Sequence, residues 1–523
     1  MPLRRLALTA PAAARAAEGI PVLDWGPCPP AAEGAAPTGG FRCATATVPM
    51  DHARPDGPTF ALAVIQAPAR DPAARIGTLF WNPGGPGDSG TAYLPAAIGG
   101  FPDRVRDRFD IVSWDPRGMG GRTTPVVQCF DSAAAEAAFL DTHLSPGLSA
   151  SPAEIAADSA GRAALGAACG TKAGDLLAHV STADNARDLD LLRQAVGEER
   201  LSYYGTSYGT YLGATYLNLF PDRVRAAVLD GAVTPSAWAG GPGQDLGLGT
   251  FLRIGSDFGG AATIRAFLDQ CGGVPAAACA FSAGSPEATR AKWHALLTRA
   301  RDGLTLDGQR IDDRDVLAYV GGSLYTVAPL PGFGRFPGWP AVAEFLEALS
   351  HAPAASPAAT LAAAQPAPEA APGPKPAPYA TSVGRQLAVI CGESPNPDTE
   401  AAFAAQIGVS YDRAGYSAWP FVASCLGWTA RAAAPYSGPW DRPGVPVLVI
   451  GNSFDPATPL SSSVGMAQEL ADARLLIVNG FGHTVLINPS RCAQDHIAAY
   501  LIDGTLPPAG ATCFQDQPPF PGD

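Results

Sequence analysis

Gly205-Thr206-Ser207-Tyr208-Gly209 directly follows the strand-like run Leu201-Ser202-Tyr203-Tyr204, and no other feature limits the possible folds of this chain as tightly. Small residues two before and two after a serine let the backbone turn from strand to helix too sharply for larger side chains, which lifts the serine out of the sheet. A lone G-x-S-x-G arises easily in a chain with 59 glycines among 523 residues, so its surroundings decide. Tyr208 to Phe220 carries Leu212, Tyr216 and Leu219 at helical spacing, Pro221-Asp222 ends it, and Ala226 to Asp230 reads as a second buried strand. Strand, tight turn, helix and strand make one α/β unit. Ser207 then stands at the carboxyl end of the first strand, where open parallel sheets carry their ligands.

A serine hydroxyl attacks only with a base beside it. Six of the seven histidines (His52, His143, His179, His294, His351 and His496) lie in polar loops or helix-like stretches. His483 differs: it follows the strand-like Leu475 to Val478 and sits in Asn479-Gly480-Phe481-Gly482-His483-Thr484, a turn able to aim an imidazole. In this class of sheet the order is serine, acid, histidine, with the acid at a strand end. Val445 to Ile450 is the buried strand before His483, and it runs into Gly451-Asn452-Ser453-Phe454-Asp455-Pro456, so Asp455 is the candidate acid.

Acyl chemistry also needs donors for an oxyanion. The strand Ile76 to Trp81 empties into Asn82-Pro83-Gly84-Gly85-Pro86-Gly87-Asp88-Ser89-Gly90, where missing side chains let backbone N–H groups approach a carbonyl oxygen. The Tyr208 and Gly85 N–H groups are expected to form the hole, with Gly84 as the alternative. Gly87-Asp88-Ser89-Gly90 also looks like the nucleophile segment of chymotrypsin-like proteases. That architecture places histidine and aspartate upstream of the serine, yet only His52 precedes Ser89, and α/β units do not make two β-barrels. Arg117, in Asp115-Pro116-Arg117-Gly118, is read as structural, its guanidinium pairing buried acids.

Asn82 to Gly90, Phe109 to Gly118, Gly205 to Thr210 with Pro221-Asp222-Arg223-Val224, Asp455 to Pro459 and Gly482-His483 together resemble the α/β-hydrolase peptidases of the proline iminopeptidase and tripeptidyl aminopeptidase group. The secreted tripeptidyl branch is the more similar, since Pro83 stands where proline iminopeptidases usually carry a histidine. The resemblance spans about residues 25 to 515. It implies an α/β-hydrolase fold, a Ser207, Asp455, His483 triad, no metal or other cofactor, and release of short peptides, tripeptides above all, from substrates with a free N-terminus. A carboxylesterase or lipase would use the same triad. A binding protein on this fold typically lacks one triad member, and none is missing here.

The stretch from 236 to 440 is far longer than a crossover between strands needs and is expected to form a mainly helical cap. It would separate a first core segment, 21–235, from a second, 441–523. Its readable helices are Ala262 to Gln270, Pro286 to Arg301 and Ala341 to Leu349, and an Ala/Pro-rich loop occupies 351–378. An exopeptidase of the implied kind must pair a substrate ammonium group with an acid. Glu393, following the strand-like Val389-Ile390-Cys391, is the first candidate, with Glu344 and Glu347 behind it.

Composition narrows the setting. A net charge of −13 argues against nucleic-acid or anionic-membrane partners, which call for basic patches. No apolar run is long enough for a membrane span. Ten cysteines without a C-x-x-C pair point to disulfides and an oxidising, extracytoplasmic setting. Short loops close most readily, and sequential pairing gives Cys28 with Cys43, Cys129 with Cys169, Cys271 with Cys279, Cys391 with Cys425 and Cys492 with Cys513, of which at least three are expected. Residues 1–20 read as a signal remnant: Arg4-Arg5 precede a short apolar stretch, and Ala14-Arg15-Ala16 resembles a cleavage site.

Overall fold

A computed structural model describes residues 19–31, 35–144, 151–331, 336–355, 379, 381–415, 425–442 and 444–520. Residues 1–18 of the expected signal remnant and most of the Ala/Pro-rich run lie outside them. Ten strands make one sheet: β1 (Gly26–Pro27), β2 (Arg42–Pro49), β3 (Thr59–Ala67), β4 (Gly77–Asn82), β5 (Phe109–Trp114), β6 (Leu201–Thr206), β7 (Val224–Asp230), β10 (Val447–Phe454), β11 (Ala473–Phe481) and β12 (Thr512–Phe514). A separate hairpin joins β8 (Leu304–Leu306) and β9 (Gln309–Ile311). The sheet order is β1-β2-β3-β5-β4-β6-β7-β10-β11-β12. The first three strands are antiparallel, and β5 onward are parallel.

The period of two along each strand sorts side chains to the two faces. Tyr203, Ala227, Leu229, Val447 and Val449 enter one hydrophobic cluster, while their neighbours Tyr204, Ala226, Val228, Leu448 and Ile450 enter the other. Both faces are covered, so β4 and β6 are buried along their whole length and read as unbroken apolar runs. Because β4, β6, β7, β10 and β11 run parallel, their carboxyl ends open on one edge. Those ends deliver the Gly84–Gly85 loop, Ser207, Asp230, Asp455 and His483 respectively.

The described residues between β7 and β10 carry helices and the β8–β9 hairpin, and they join different hydrophobic clusters. Ser256–Gly272, Pro286–Ala300, Asp313–Ser323 and Trp339–His351 build their own cluster around Phe267, Trp293, Leu317 and Trp339, joined by Phe520. Ala388, Val389, Ile390, Cys391, Trp428 and Trp440 instead join the cluster on one face of the main sheet. The strand-like reading of Val389 to Cys391 is corrected here: these residues lie in the helix Gly384–Glu393. Ala388 to Gly392 are buried without a break, so their pattern shows no period and a short apolar run could be either element.

All ten cysteines are paired, and all five sequential pairs form where at least three are expected. Cys129–Cys169 closes 40 residues, for which the chain-entropy estimate gives roughly 4 kcal/mol. A Cys129→Ser/Cys169→Ser double variant should lose about 2–4 kcal/mol of unfolding free energy. Denaturant titration against the parent protein checks this, and an unchanged midpoint would show that the bridge contributes nothing.

Candidate active site

Ser207 adopts φ 57° and ψ −131°, a conformation non-glycine residues rarely hold, and Tyr208 opens the helix Tyr208–Leu219 immediately after it. The flanking glycines explain how the turn closes. A Cβ on Gly205 would lie 2.4 Å from the Gly209 carbonyl oxygen, and one on Gly209 would lie 2.5 Å from that of Asn82. The Ser207 N–H donates to the Asp230 carbonyl at 3.0 Å, anchoring the turn to the next strand.

Asp455 and His483 meet where β10 and β11 end. His483 Nδ1 lies 2.9 Å from Asp455 Oδ1 and 2.8 Å from Oδ2, and the two residues are only 1% and 5% exposed. Asp455 also accepts the Ala457 and Thr458 N–H groups and the Thr458 hydroxyl, at 2.8–3.0 Å, so its carboxylate has little freedom to turn away. The His483 loop is bent by Gly482 at φ 87° and by Thr484 at φ 62°, an unusual angle for a β-branched residue. Its backbone is fixed by His483 N–H to the Tyr325 carbonyl at 2.8 Å and by the Asn488 amide to the His483 carbonyl at 2.9 Å. His483 Nε2 is buried with no hydrogen-bond partner among the described residues, and the ring lines the same cavity as Ser207.

That half-open cavity, of about 610 Å³, is lined by Gly85, Ser207 and His483 and by Tyr319, Tyr325, Phe336, Arg385 and Gln386 from the stretch between β7 and β10. Of the two glycines considered for the oxyanion hole, Gly84 uses its N–H on Asn82 Oδ1 at 3.0 Å, whereas Gly85 lines the cavity. A Cβ on Gly84 would come within 2.8 Å of the Ser207 Cβ, so this glycine is needed for the close approach of the two loops. The Tyr208 N–H belongs to the first helical turn, whose amides have no intrahelical acceptor.

The other sequence expectations resolve as follows. Ser89 is a helix cap: its hydroxyl donates to Asp115 at 2.6 Å and accepts the Ala92 N–H. Arg117 is fully buried and forks onto Asp188, as a structural role requires. Glu344 is exposed, and Glu347 pairs with Lys292 and His351. Glu393 does not line the Ser207 cavity. Its carboxylate accepts the Thr182 N–H at 2.7 Å, the Thr182 hydroxyl at 2.6 Å and the Trp238 indole N–H at 3.0 Å. It therefore caps the helix Thr182–Ala195 from behind Trp238, and burial pushes its carboxyl up to about 7 against the pull of those donors.

Sequence reasoning missed Asp230. Its carboxylate accepts Val485 N–H on both oxygens at 3.0 Å, Leu486 N–H at 3.0 Å and the Tyr204 hydroxyl at 3.0 Å, while its own carbonyl holds the Ser207 N–H. One residue thus ties the serine turn to the histidine loop. The only signal for it was an acid closing a buried strand. Burial raises this carboxyl to about 6. Asp230→Asn should lower kcat by about 10- to 100-fold through misplacement of His483, with KM little changed. Steady-state kinetics on the folded variant tests this, and a KM effect alone would refute it.

A strained serine heading a helix and a buried aspartate–histidine pair at parallel strand ends are the parts of a serine hydrolase. The chain belongs to the α/β-hydrolase family. The family described as "alpha/beta hydrolase fold" matches residues 77–250, and the one described as "TAP-like protein" matches residues 413–513. Among its relatives, the serine protease Hip1 of Mycobacterium tuberculosis is 33% identical over 95% of this chain and 91% of the relative. Carboxylesterase B of the same species is 32% identical over 90% of this chain and 86% of its own length. A tripeptidyl aminopeptidase of Streptomyces lividans is 38% identical over 43% of this chain and 40% of its own length.

Proposed function

We propose that this hydrolase is a serine aminopeptidase that removes short peptides, tripeptides above all, from free N-termini through an acyl-enzyme on Ser207. In this reading His483 takes the serine proton and returns it to the leaving amine, Asp455 holds the imidazole tautomer, and the Tyr208 and Gly85 N–H groups receive the oxyanion. The observation that carries the exopeptidase reading is the cavity: Tyr319, Tyr325 and Phe336 line it together with Ser207, leaving a half-open site of about 610 Å³ that suits a short chain end. The relatives named as a protease and as a tripeptidyl aminopeptidase support peptide substrates. Five disulfides support work in an oxidising compartment outside the cytoplasm. No described helix is long and apolar enough to cross a membrane.

Glu393 is the acid assigned to the substrate ammonium group; it accepts the indole N–H of Trp238, which lines a cavity beside Ser207. The relative named carboxylesterase B keeps an esterase in view. Three substrates separate these readings: a tripeptide anilide with a free N-terminus, the same anilide acetylated, and a short acyl ester. Strong preference for the free amine supports the aminopeptidase. Equal cleavage of both anilides, or turnover of the ester alone, rejects it.

A further inference from the structure

The helix Gly384–Glu393 begins at the cavity that holds Ser207 and His483, which Ser382, Arg385 and Gln386 help to line. Gln386 Nε2 donates to the Gly85 carbonyl at 3.3 Å. Arg385 packs its stem against Gly87, where an added Cβ would lie 3.4 Å from its Cγ and Cδ, and its Nη2 stands 3.9 Å from Asp88 Oδ1. Two consecutive side chains therefore clasp the loop whose Gly85 N–H is assigned to the oxyanion. Where this helix starts decides where that loop is held.

The start is fixed by a carboxylate distant in the sequence. The helix has no side-chain cap of its own, because Val383 at its N-terminal boundary carries no acceptor. Glu136, in the helix Ala133–His143, supplies it; this residue is 3% exposed and does not line the cavity. Its Oε1 accepts the Thr381 hydroxyl at 2.5 Å and the Ser382 N–H at 2.9 Å, and its Oε2 accepts the Tyr379 hydroxyl at 2.6 Å. Burial works against the charge, but these donors outweigh it and hold the carboxyl below its usual range, so at neutral pH both oxygens only accept. The neighbourhood adds three restraints. The Gln128 amide donates to the Tyr379 carbonyl at 2.6 Å, and the Thr381 N–H donates to the Val127 carbonyl at 3.2 Å. Gly384 lies against the Cys129–Cys169 bridge, where a Cβ would come within 2.3 Å of Cys129 Sγ.

We propose that Glu136 is a positioning residue of the hydrolytic site: through Thr381 and Ser382 it sets the start of the helix Gly384–Glu393, and through Gln386 that helix sets the Gly85 loop. The proposal rests on the reading of Ser207 as nucleophile and Gly85 as oxyanion donor, and adds to it a residue outside the cavity. An oxyanion donor acts by its aim, and a misplacement of about 1 Å at a reacting centre costs on the order of 10²-fold in rate.

Glu136→Gln keeps the side chain's shape but turns an NH₂ group toward donors, and Gln386→Ala removes the contact with Gly85. Each should lower kcat about 10- to 100-fold, by similar factors on a free-amine tripeptide anilide and on p-nitrophenyl acetate. KM should change by less than about 3-fold, since the loss falls on the transition state. Both residues act on Gly85 through one chain of contacts, so the double variant should fall within about 3-fold of the slower single variant instead of at the product of the two losses. A Glu136 that only supports the fold would lower the melting temperature and leave kcat at the parent level in folded protein. Thermal melts place every assay well below the midpoint of each variant. If Glu136→Gln does not fold, Thr381→Val, which deletes one donor with little change of shape, replaces it in each comparison. Parent-level kcat in folded Gln386→Ala or in the folded variant of the Glu136 contact overturns the proposal, as do losses that multiply or an effect confined to KM. Ser207→Ala tests the underlying reading separately. Retained hydrolysis of p-nitrophenyl acetate there rejects the nucleophile, whereas its loss beside unaltered Glu136→Gln and Gln386→Ala enzymes rejects the positioning role alone.

Discussion

Replacing Ser207 or His483 by alanine should lower turnover by roughly 10⁴- to 10⁶-fold while the protein stays folded. Ser207 is a turn residue whose side chain makes no capping bond to its helix. His483 has its Nε2 buried without a described partner, an arrangement that structure alone does not favour. Asp455→Asn should cost about 10⁴-fold, because the amide no longer selects the tautomer with its proton on Nδ1. Steady-state rates, with a thermal melt of each variant, check these values. A folded Ser207→Ala enzyme with near-parent activity would leave the proposed mechanism without its nucleophile. The three losses should also fail to add: once the serine is gone, removing the histidine has little left to remove.

The parts of this arrangement legible in the sequence share one physical cause. Parallel strands covered on both faces appear as unbroken apolar runs, and the residues just after them, Gly84–Gly85, Ser207, Asp455 and His483, fall on one edge of the sheet whatever the intervening chain does. The glycines at 205 and 209 are equally legible, since each position leaves no room for a Cβ. What stayed hidden depends on contacts between distant segments. Tyr325 reaches the histidine loop through its backbone carbonyl, which any residue could supply. Asp230 resembles any strand-end acid until the Val485 and Leu486 amides are found on it. The helix Gly384–Glu393 looked like a strand because the sheet cluster buries Ala388 to Gly392 in succession and erases the helical period. Ser89 shows the converse, where a motif matched a catalytic pattern but its hydroxyl is taken up by Asp115.

Acetylating the substrate N-terminus should lower kcat/KM by about 2–5 kcal/mol of transition-state binding, the usual cost of removing one partner of a buried charge pair. If Glu393 is that partner, Glu393→Gln should reproduce most of the loss with free-amine peptides and add little with acetylated ones. Glu393 also caps the helix Thr182–Ala195, so the variant will lose stability as well. Stability and recognition separate through pH. Burial holds the Glu393 carboxyl up at about 7 in the free enzyme, so acidification below 7 protonates it and leaves the ammonium without a counter-charge. For free-amine peptides kcat/KM should therefore fall with acid through one ionisation more than for the acetylated peptide or an acyl ester. That extra step should vanish in Glu393→Gln, an outcome a purely structural cap would not produce. Identical pH profiles for free and acetylated peptides would remove Glu393 from substrate recognition and leave it as the cap.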